Sequence, residues 1–496
     1  MSAPDPAEVA AAIVAATAGP VLTVPGGGAS LDLLDAVQDL GRDVVTVHHE
    51  ATAAIAAGTV GALAGRPGVA VAIKGPGLAS LVPGLGLAGV EGRPVLALVE
   101  AHPAGSTAVH KRMDHAALAA GVAKGLGAAA DGRAVAVAAA LAAAERPGAV
   151  VLELVAGDPV APSAAATGAG VTDPDATAAA ATAARPLVVA GTAAGRAGWA
   201  GALAAAGVPV ATSAAAKGLV DERTPPAAGV VTGAGGPRSP EAALLAEADL
   251  VLAVGLDDRE LLAPLAGPRV VHVDPATASA AELLGALRAD GWDLAAIHAR
   301  LTGLRDALIA ADPSLPAAVL AAVAARHPGA RLVADTGDHC TIAEHVWLAT
   351  DPAGFLGAGA SRWMGTGLAT ALGAALHDPA RPTVVAVGDG GIGPALGELT
   401  LAAERRLPLL VLVLEDGGYA SIRGRARARG RRTAPLEHPP RCWARAAEGL
   451  GLHAAEVTTP AALAEALAGW APADGPVLLH CHHDPDAYAT MAEGLR

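Results

Sequence analysis

Cysteine is scarce in this 496-residue sequence: Cys340, Cys442 and Cys481 stand alone, with no C-x-x-C spacing. That excludes a disulfide framework and a thiolate zinc site, and each reads as an ordinary small apolar residue. Long apolar runs are also missing. The chain is 53% hydrophobic, but Ala and Val supply most of this, and Gly, Pro or charge interrupts each run. No run reaches the roughly 18 residues a membrane span needs. Positive charge is in deficit, and a net charge of −14 argues against a general nucleic-acid surface. The opening "MSAPDPAEVAAAIVAA" carries Asp5 and Glu8 where a signal peptide needs a basic flank, so a cytoplasmic location is expected. No short-period repeat suggests a solenoid.

What is present is a repeated α/β pattern. At about 150 residues per domain, the length suggests three domains. In the first, residues 1–156, strands such as "VVTV" (44–47), "VAVAI" (69–73) and "PVLALVE" (94–100) alternate with Ala-rich helical stretches. Residues 157–184 lose this pattern, gather Pro, Gly, Thr and Ala, and read as a linker. The second domain, 185–312, carries "RPLVVAG", "VPVATS", "ADLVLAVG" and "RVVHVD". The third, 313–496, carries "ARLVADTG", "PTVVAVGDGG", "LPLLVLVLEDGG" and "PVLLHCH". The fold class expected is α/β, with three consecutive parallel-sheet domains.

In the third domain two apolar strands end in acid-plus-glycine clusters, "GDGG" at 388–391 and "EDGGY" at 415–419. Ligands of parallel sheets gather at the carboxyl ends of strands. With a helix expected to begin near Pro394, the N–H groups of 390–393 would cradle a diphosphate. Asp389 and Asp416 would share one Mg²⁺, which favours oxygen ligands and substrate phosphates.

GDG, 25 intervening residues and D-G-G-Y closely resemble the signature of thiamine diphosphate enzymes, and the resemblance extends over nearly the whole chain. It implies pyrimidine-binding, central Rossmann-like and diphosphate-binding domains, in that order. It implies that Asp389, Asp416 and the Gly418 carbonyl hold Mg²⁺, with Gly388, Gly390, Gly391 and Tyr419 around the diphosphate. The sequence departs from the family pattern in having Glu415-Asp416 in place of an Asn pair. "HHEATAAIAAGTVGALAG" (48–65) resembles the helix carrying the family's essential glutamate, so that Glu50 would hydrogen-bond N1′ of the cofactor pyrimidine. "VPGGG" (24–28) and "KGPG" (74–77) resemble the glycine turns, placing Gly27 and Gly75 at the cofactor. "ASRWMGTG" (360–367) resembles the segment whose bulky apolar residue, here Met364, supports the bent cofactor.

The resemblance implies a decarboxylase or carboligase acting on a small 2-oxo acid, acetolactate synthase-like, assembled as a homodimer or dimer of dimers with shared active sites. Ile422 stands where pyruvate decarboxylase-like members place an acid and cannot donate a proton. His110 and His115, with His102 in the same stretch, are the candidate donors. Six arginines in "RGRARARGRR" (423–432) read either as a solvated loop or as a grip on a sulfonated, phosphonated or second carboxylate group. Two other classes compete: a nucleotide-dependent oxidoreductase, for which a proper G-x-G-x-x-G is missing, and a non-catalytic binding subunit, against which Glu50 argues.

Overall fold

The computed structural model describes residues 4–103, 105–162, 172–265 and 267–496. The first sheet contains β1 (Val21–Thr23), β2 (Val44–Thr46), β3 (Gly68–Ala72), β4 (Val95–Val99), β5 (Gly125–Ala128), β6 (Ala149–Glu153) and β7 (Ala161–Pro162). Their order is β2-β1-β3-β4-β6-β5-β7, and all pairs are parallel except β5 with the short β7. The second sheet contains β8 (Pro186–Ala190), β9 (Val210–Thr212), β10 (Ala227–Val230), β11 (Leu250–Val254) and β12 (Arg269–Val273), all parallel, in the order β10-β9-β8-β11-β12. The third contains β13 (Arg331–Ala334), β14 (Phe355–Gly357), β15 (Thr383–Gly388), β16 (Leu409–Glu415), β17 (His453–Val457) and β18 (Val477–His482). Its order is β14-β13-β15-β16-β18-β17, again all parallel.

These strands form because their residues are apolar on both faces. Every residue of β4 (VLALV) and of β16 (LLVLVLE) is buried, the pattern of a parallel sheet covered by helices on two sides. Among the described residues no single helix is long and apolar enough to cross a membrane.

The chain divides into two compact bodies. One is the described part of Met1–Ala169 together with Ala369–Ala380 and Gly397–Leu407; the other is the described part of Gly170–Leu368 with Arg381–Leu396 and Pro408–Arg496. In the first, Val9, Ile13, Leu33, Val37, Val135 and Ala138 pack one face of the sheet. The helix Glu50–Ala64 serves the other face and is built of Ala, Gly and Thr because it is buried nearly all round. A Cβ on Gly61 would lie 2.2 Å from the carbonyl oxygen of Pro94, so only glycine lets this helix approach the chain entering β4.

The expected linker at 157–184 is only partly linker-like. Ala161–Pro162 pair with β5, and Ala176–Thr182 form a helix whose Ala176, Ala179 and Ala180 join the core of the second sheet. Residues 163–171 of that stretch lie outside the described residues. An Ala-rich stretch carries no periodicity to distinguish a buried helix from a tether.

Candidate active site

At the carboxyl ends of the first sheet, a buried carboxylate organises two glycine turns. Glu100 follows β4 and accepts hydrogen bonds from Gly28 N (3.1 Å), Ser30 N (3.2 Å), Ser30 Oγ (2.6 Å) and Lys74 Nζ (3.0 Å). Burial alone would raise its pKa, but the Ser30 and Lys74 donors outweigh it and hold the group below the ordinary carboxylate range. Gly27 is exposed at the tip of the turn, with open space where a side chain would stand. Gly75 has φ +63°, and a Cβ there would lie 2.0 Å from Lys111 O. Its N–H donates to His115 Nε2 at 2.9 Å, and His115 Nδ1 donates to Glu153 Oε1 at 2.7 Å.

Glu50 opens the helix Glu50–Ala64, half-buried, and its carboxylate makes no hydrogen bond or ion pair among the described residues. The turn before it is fixed from below. Buried Glu398 accepts from His48 N and His49 N at 3.1 Å, while His49 caps the helix by accepting the Ala51 N–H at 3.0 Å. The carboxylate of Glu50 is thereby presented at the helix start with its own oxygens uncommitted.

At the carboxyl ends of the third sheet, Asp389 follows β15 and Asp416 follows β16, both buried. Asp389 Oδ1 accepts from Gly390 N at 2.9 Å, and Oδ2 faces His438 Nδ1 at 3.4 Å. Asp416 Oδ1 is buried without a hydrogen-bond partner, with Arg423 Nη2 at 3.6 Å. Burial, followed by repulsion from Asp389, pushes Asp416 up to about 7, and burial likewise raises Asp389. Two buried acids that oppose each other's ionisation, one with an orphaned oxygen, suit a hard, oxygen-seeking cation. After Asp416 the chain passes through Gly417 (φ +78°) and Gly418 (φ +157°), and a Cβ on Gly418 would lie 2.1 Å from Leu436 O. Tyr419 packs edge-on against His438, and a Cβ on Gly390 would lie 2.5 Å from the Tyr419 ring.

Asp335, after β13, holds the segment bearing Met364. Its carboxylate accepts from the N–H groups of Gly365 (2.9 Å), Thr366 (3.2 Å) and Gly367 (3.1 Å), while burial raises its pKa to about 6 against those donors. Met364 and Trp363 are exposed as a result. His339 is buried beside Gly388, and its Nε2 makes no hydrogen bond. Burial lowers this imidazole to about 4, leaving it neutral at physiological pH.

Residues 7–120 match the N-terminal TPP binding domain of thiamine pyrophosphate enzymes, 174–286 their central domain, and 335–481 their C-terminal TPP binding domain. The chain belongs to the thiamine pyrophosphate enzyme family. It is 34% identical over 273 residues to the probable 2-ketoarginine decarboxylase AruI of Pseudomonas aeruginosa, covering 49% of this chain and 48% of that protein. It is 33% identical over 117 residues to benzoylformate decarboxylase of the same organism, covering 23% and 22%. The chain thus spans about half the length, or less, of the curated relatives it matches.

Several expectations for this thiamine pyrophosphate enzyme need correction. The chain turns helical at Asp389 itself, in a turn over Asp389–Ile392, rather than near Pro394. Residues Ala420–Ala428 form a helix rather than a loop, and Arg423 is turned inward, donating to Asp416 O at 3.3 Å. His115 is buried with both ring nitrogens engaged, so it positions the Gly75 turn and has no nitrogen free to deliver a proton. His110 is exposed, and its carbonyl meets His102 Nε2 at 3.0 Å. Cys340 and Cys481 are buried as expected of small apolar residues, but Cys442 is exposed and polar in its contacts, with Sγ 2.9 Å from Glu456. Glu100, Glu398, Asp335 and His339 were not singled out from the sequence. An acid immediately after an apolar strand was the available signal for Glu100 and Asp335.

Proposed function

We propose that the chain is a thiamine diphosphate- and Mg²⁺-dependent enzyme that releases CO₂ from a small 2-oxo acid. The observation that carries this is the Asp389–Asp416 pair, buried at adjacent strand ends, with an orphaned oxygen on Asp416 and with burial raising the pKa of both acids. Bound thiamine diphosphate supplies a carbanion-stabilising centre that lets a 2-oxo acid lose its carboxylate. The chain's part is to bind, orient and manage protons. Asp389, Asp416 and the Gly418 carbonyl would hold the metal against the diphosphate. Gly388, Gly390 and Gly391 would let that group approach the backbone, with Tyr419 and neutral His339 beside it; at Gly390 and Gly391 a Cβ would collide with Tyr419 and Asp335. Met364 would support the cofactor's bend, and Gly27 and Gly75 would line its pyrimidine end. Glu50, whose oxygens are uncommitted, would hold a proton at N1′.

Both relatives are named for decarboxylating 2-oxo acids, which supports the substrate class. Ile422 and the engaged His115 leave His102 and His110 as the remaining candidate donors of the 102–115 stretch. A carboligase needs no such donor, so an acetolactate synthase-like outcome is retained. The test is CO₂ release from a panel of 2-oxo acids with product identification. An aldehyde indicates protonation and a hydroxyketone carboligation; no turnover of any member would sink the decarboxylase reading.

A second substrate reading has its own observation: Arg425, Arg427, Arg429, Arg431 and Arg432 are exposed directly after the candidate metal loop. These could grip a sulfonate or phosphonate on the substrate. Replacing Arg425, Arg427 and Arg429 with Gln should then raise KM for a dianionic 2-oxo acid far more than for a monoanionic one; equal effects would reject it.

The active unit we propose is a homodimer in which Glu50 of one chain and Asp389 of its partner serve one cofactor molecule. Mixing inactive Glu50→Gln chains with inactive Asp389→Ala chains should restore part of the activity, since a mixed dimer has one intact site. No recovery despite verified exchange would contradict the shared site.

A further inference from the structure

Side chains alternate along β18, so Leu479 and Cys481 enter the hydrophobic core while His480 and His482 share the opposite face. The strands on either side add carboxylates to that face. Glu415 of β16 stands beside His482, and Glu456 of β17 stands beside His480. Glu415 Oε2 lies 2.6 Å from His480 Nε2 and 3.0 Å from His482 Nδ1. One carboxylate oxygen therefore receives two imidazole nitrogens. All three ligand atoms lie within 4.8 Å of one another. His482 Nε2 lies 2.8 Å from Glu456 Oε2, and His480 Nδ1, buried and without a hydrogen bond, faces Glu456 Oε1 at 3.7 Å.

Hydrogen bonding alone accommodates this set awkwardly. Of the two imidazole nitrogens that converge on Glu415 Oε2, only His480 Nε2 makes a hydrogen bond to it, and His482 Nδ1 stands 3.0 Å away without hydrogen-bond geometry. A metal ion at the convergence point resolves the conflict. We infer that Glu415 Oε, His480 Nε2 and His482 Nδ1 form a binding site for a zinc-class divalent cation, distinct from the candidate Mg²⁺ pair. Glu456 serves it as the outer carboxylate that accepts the His482 Nε2–H. Metal–nitrogen and metal–oxygen bonds of about 2.0–2.2 Å put tetrahedral ligand atoms roughly 3.3–3.6 Å apart, so binding the ion would draw Glu415 Oε2 back from its present 2.6 Å and 3.0 Å contacts with the two imidazoles. Imidazole selects zinc, cobalt or nickel over Mg²⁺, which prefers oxygen. His482 is 36% exposed on its side chain and His480 fully buried, which gives the cation a way in on one side and a dry wall on the other. An ion with three protein ligands keeps a position for water.

Glu415 is the residue before Asp416, so the inferred site and the candidate Mg²⁺ site share one strand end. The inference does not rest on the thiamine diphosphate reading, and the test separates them. Tag-free full-length chain, stripped with a chelator and held in excess Mg²⁺ without thiamine diphosphate, is titrated with Co²⁺ and followed by its visible absorption. About one Co²⁺ per chain should give the intense bands of a four- or five-coordinate ion, displaced by Zn²⁺. His482→Gln, a change at a partly exposed position, should abolish the bands while far-UV circular dichroism stays native. Glu456→Gln should weaken affinity by about 10–100-fold, as for an outer-shell partner. Asp389→Ala should leave the bands intact. The inference is overturned by the weak spectrum of hexa-aqua Co²⁺ alone, by bands that survive both His482→Gln and Glu415→Gln, or by bands lost in Asp389→Ala.

Discussion

Glu100 and the Asp389–Asp416 pair are all buried carboxylates following parallel strands beside glycine turns, yet their surroundings are opposite. Glu100 is met by two backbone N–H groups, a hydroxyl and an ammonium, and its pKa is held down. Asp416 has one oxygen with no hydrogen bond and another acid beside it, and its pKa is driven to about 7. Burial is common to both; the supply of donors differs. A buried carboxylate whose donors are built into the chain reads as scaffold, and the one whose donors are missing is the one we assign to a cation. Asp335 lies between them: three backbone donors meet it, yet burial still raises it to about 6.

The contrast is broken most severely through activity. Glu50→Gln should fold normally and lose about 10²–10⁴-fold in turnover, the usual worth of a positioned acid–base group, because an amide cannot hold the proton at N1′. Steady-state assay on the best 2-oxo acid checks it, and near-wild-type turnover would remove Glu50 from the chemistry. Glu100→Gln should act on the other side of the comparison. It weakens charge-assisted hydrogen bonds worth about 1.5–3 kcal/mol each and loosens the Gly27 turn, so denaturant unfolding should show a stability loss. Mg²⁺ dependence should be unchanged; a variant as stable as wild type would show that the donors do not need the charge.

A smaller effect is expected from pH. The folded pKa of Asp416, about 7, is raised above its unfolded value of about 4. The metal-free fold therefore favours the protonated acid, so this group's contribution is full below about pH 4 and is lost as pH rises through about 7. Mg²⁺ bound at the proposed site would displace that proton, so the Mg²⁺-induced rise in Tm should grow from pH 5.5 to 8, on the order of the same titration window. A Tm shift independent of pH would place the cation elsewhere.

The longest strands and the acidic strand ends could be read from the sequence because β4, β15 and β16 are uninterrupted Val/Leu/Ala runs that end in Gly or an acid. Strand β5, "GLGA", could not, since neither of its glycines favours a strand. A Cβ on Gly127 would lie 2.3 Å from Val160 N, so tertiary contact rather than propensity sets that residue. Glu398 was likewise hidden. It is 350 residues from the His48 N–H it accepts, and no local pattern announces such a partner. His115 looked like a proton donor because a histidine on a loop carries no mark of whether its nitrogens are engaged; only the Gly75 and Glu153 contacts reveal it. The Arg-rich stretch looked like a loop because charge density masked a helix whose one inward residue is Arg423.

The most direct measurement is calorimetric titration of thiamine diphosphate into the chelator-stripped chain, with and without Mg²⁺, for wild type and Asp389→Ala. Wild type should bind about one cofactor per chain only when Mg²⁺ is present, and Asp389→Ala should lose most of that metal-dependent binding, because the diphosphate charge is left uncompensated. Equal affinity with and without Mg²⁺, or an Asp389→Ala variant that saturates as wild type does, would contradict the assignment of the two strand-end carboxylates to a cation.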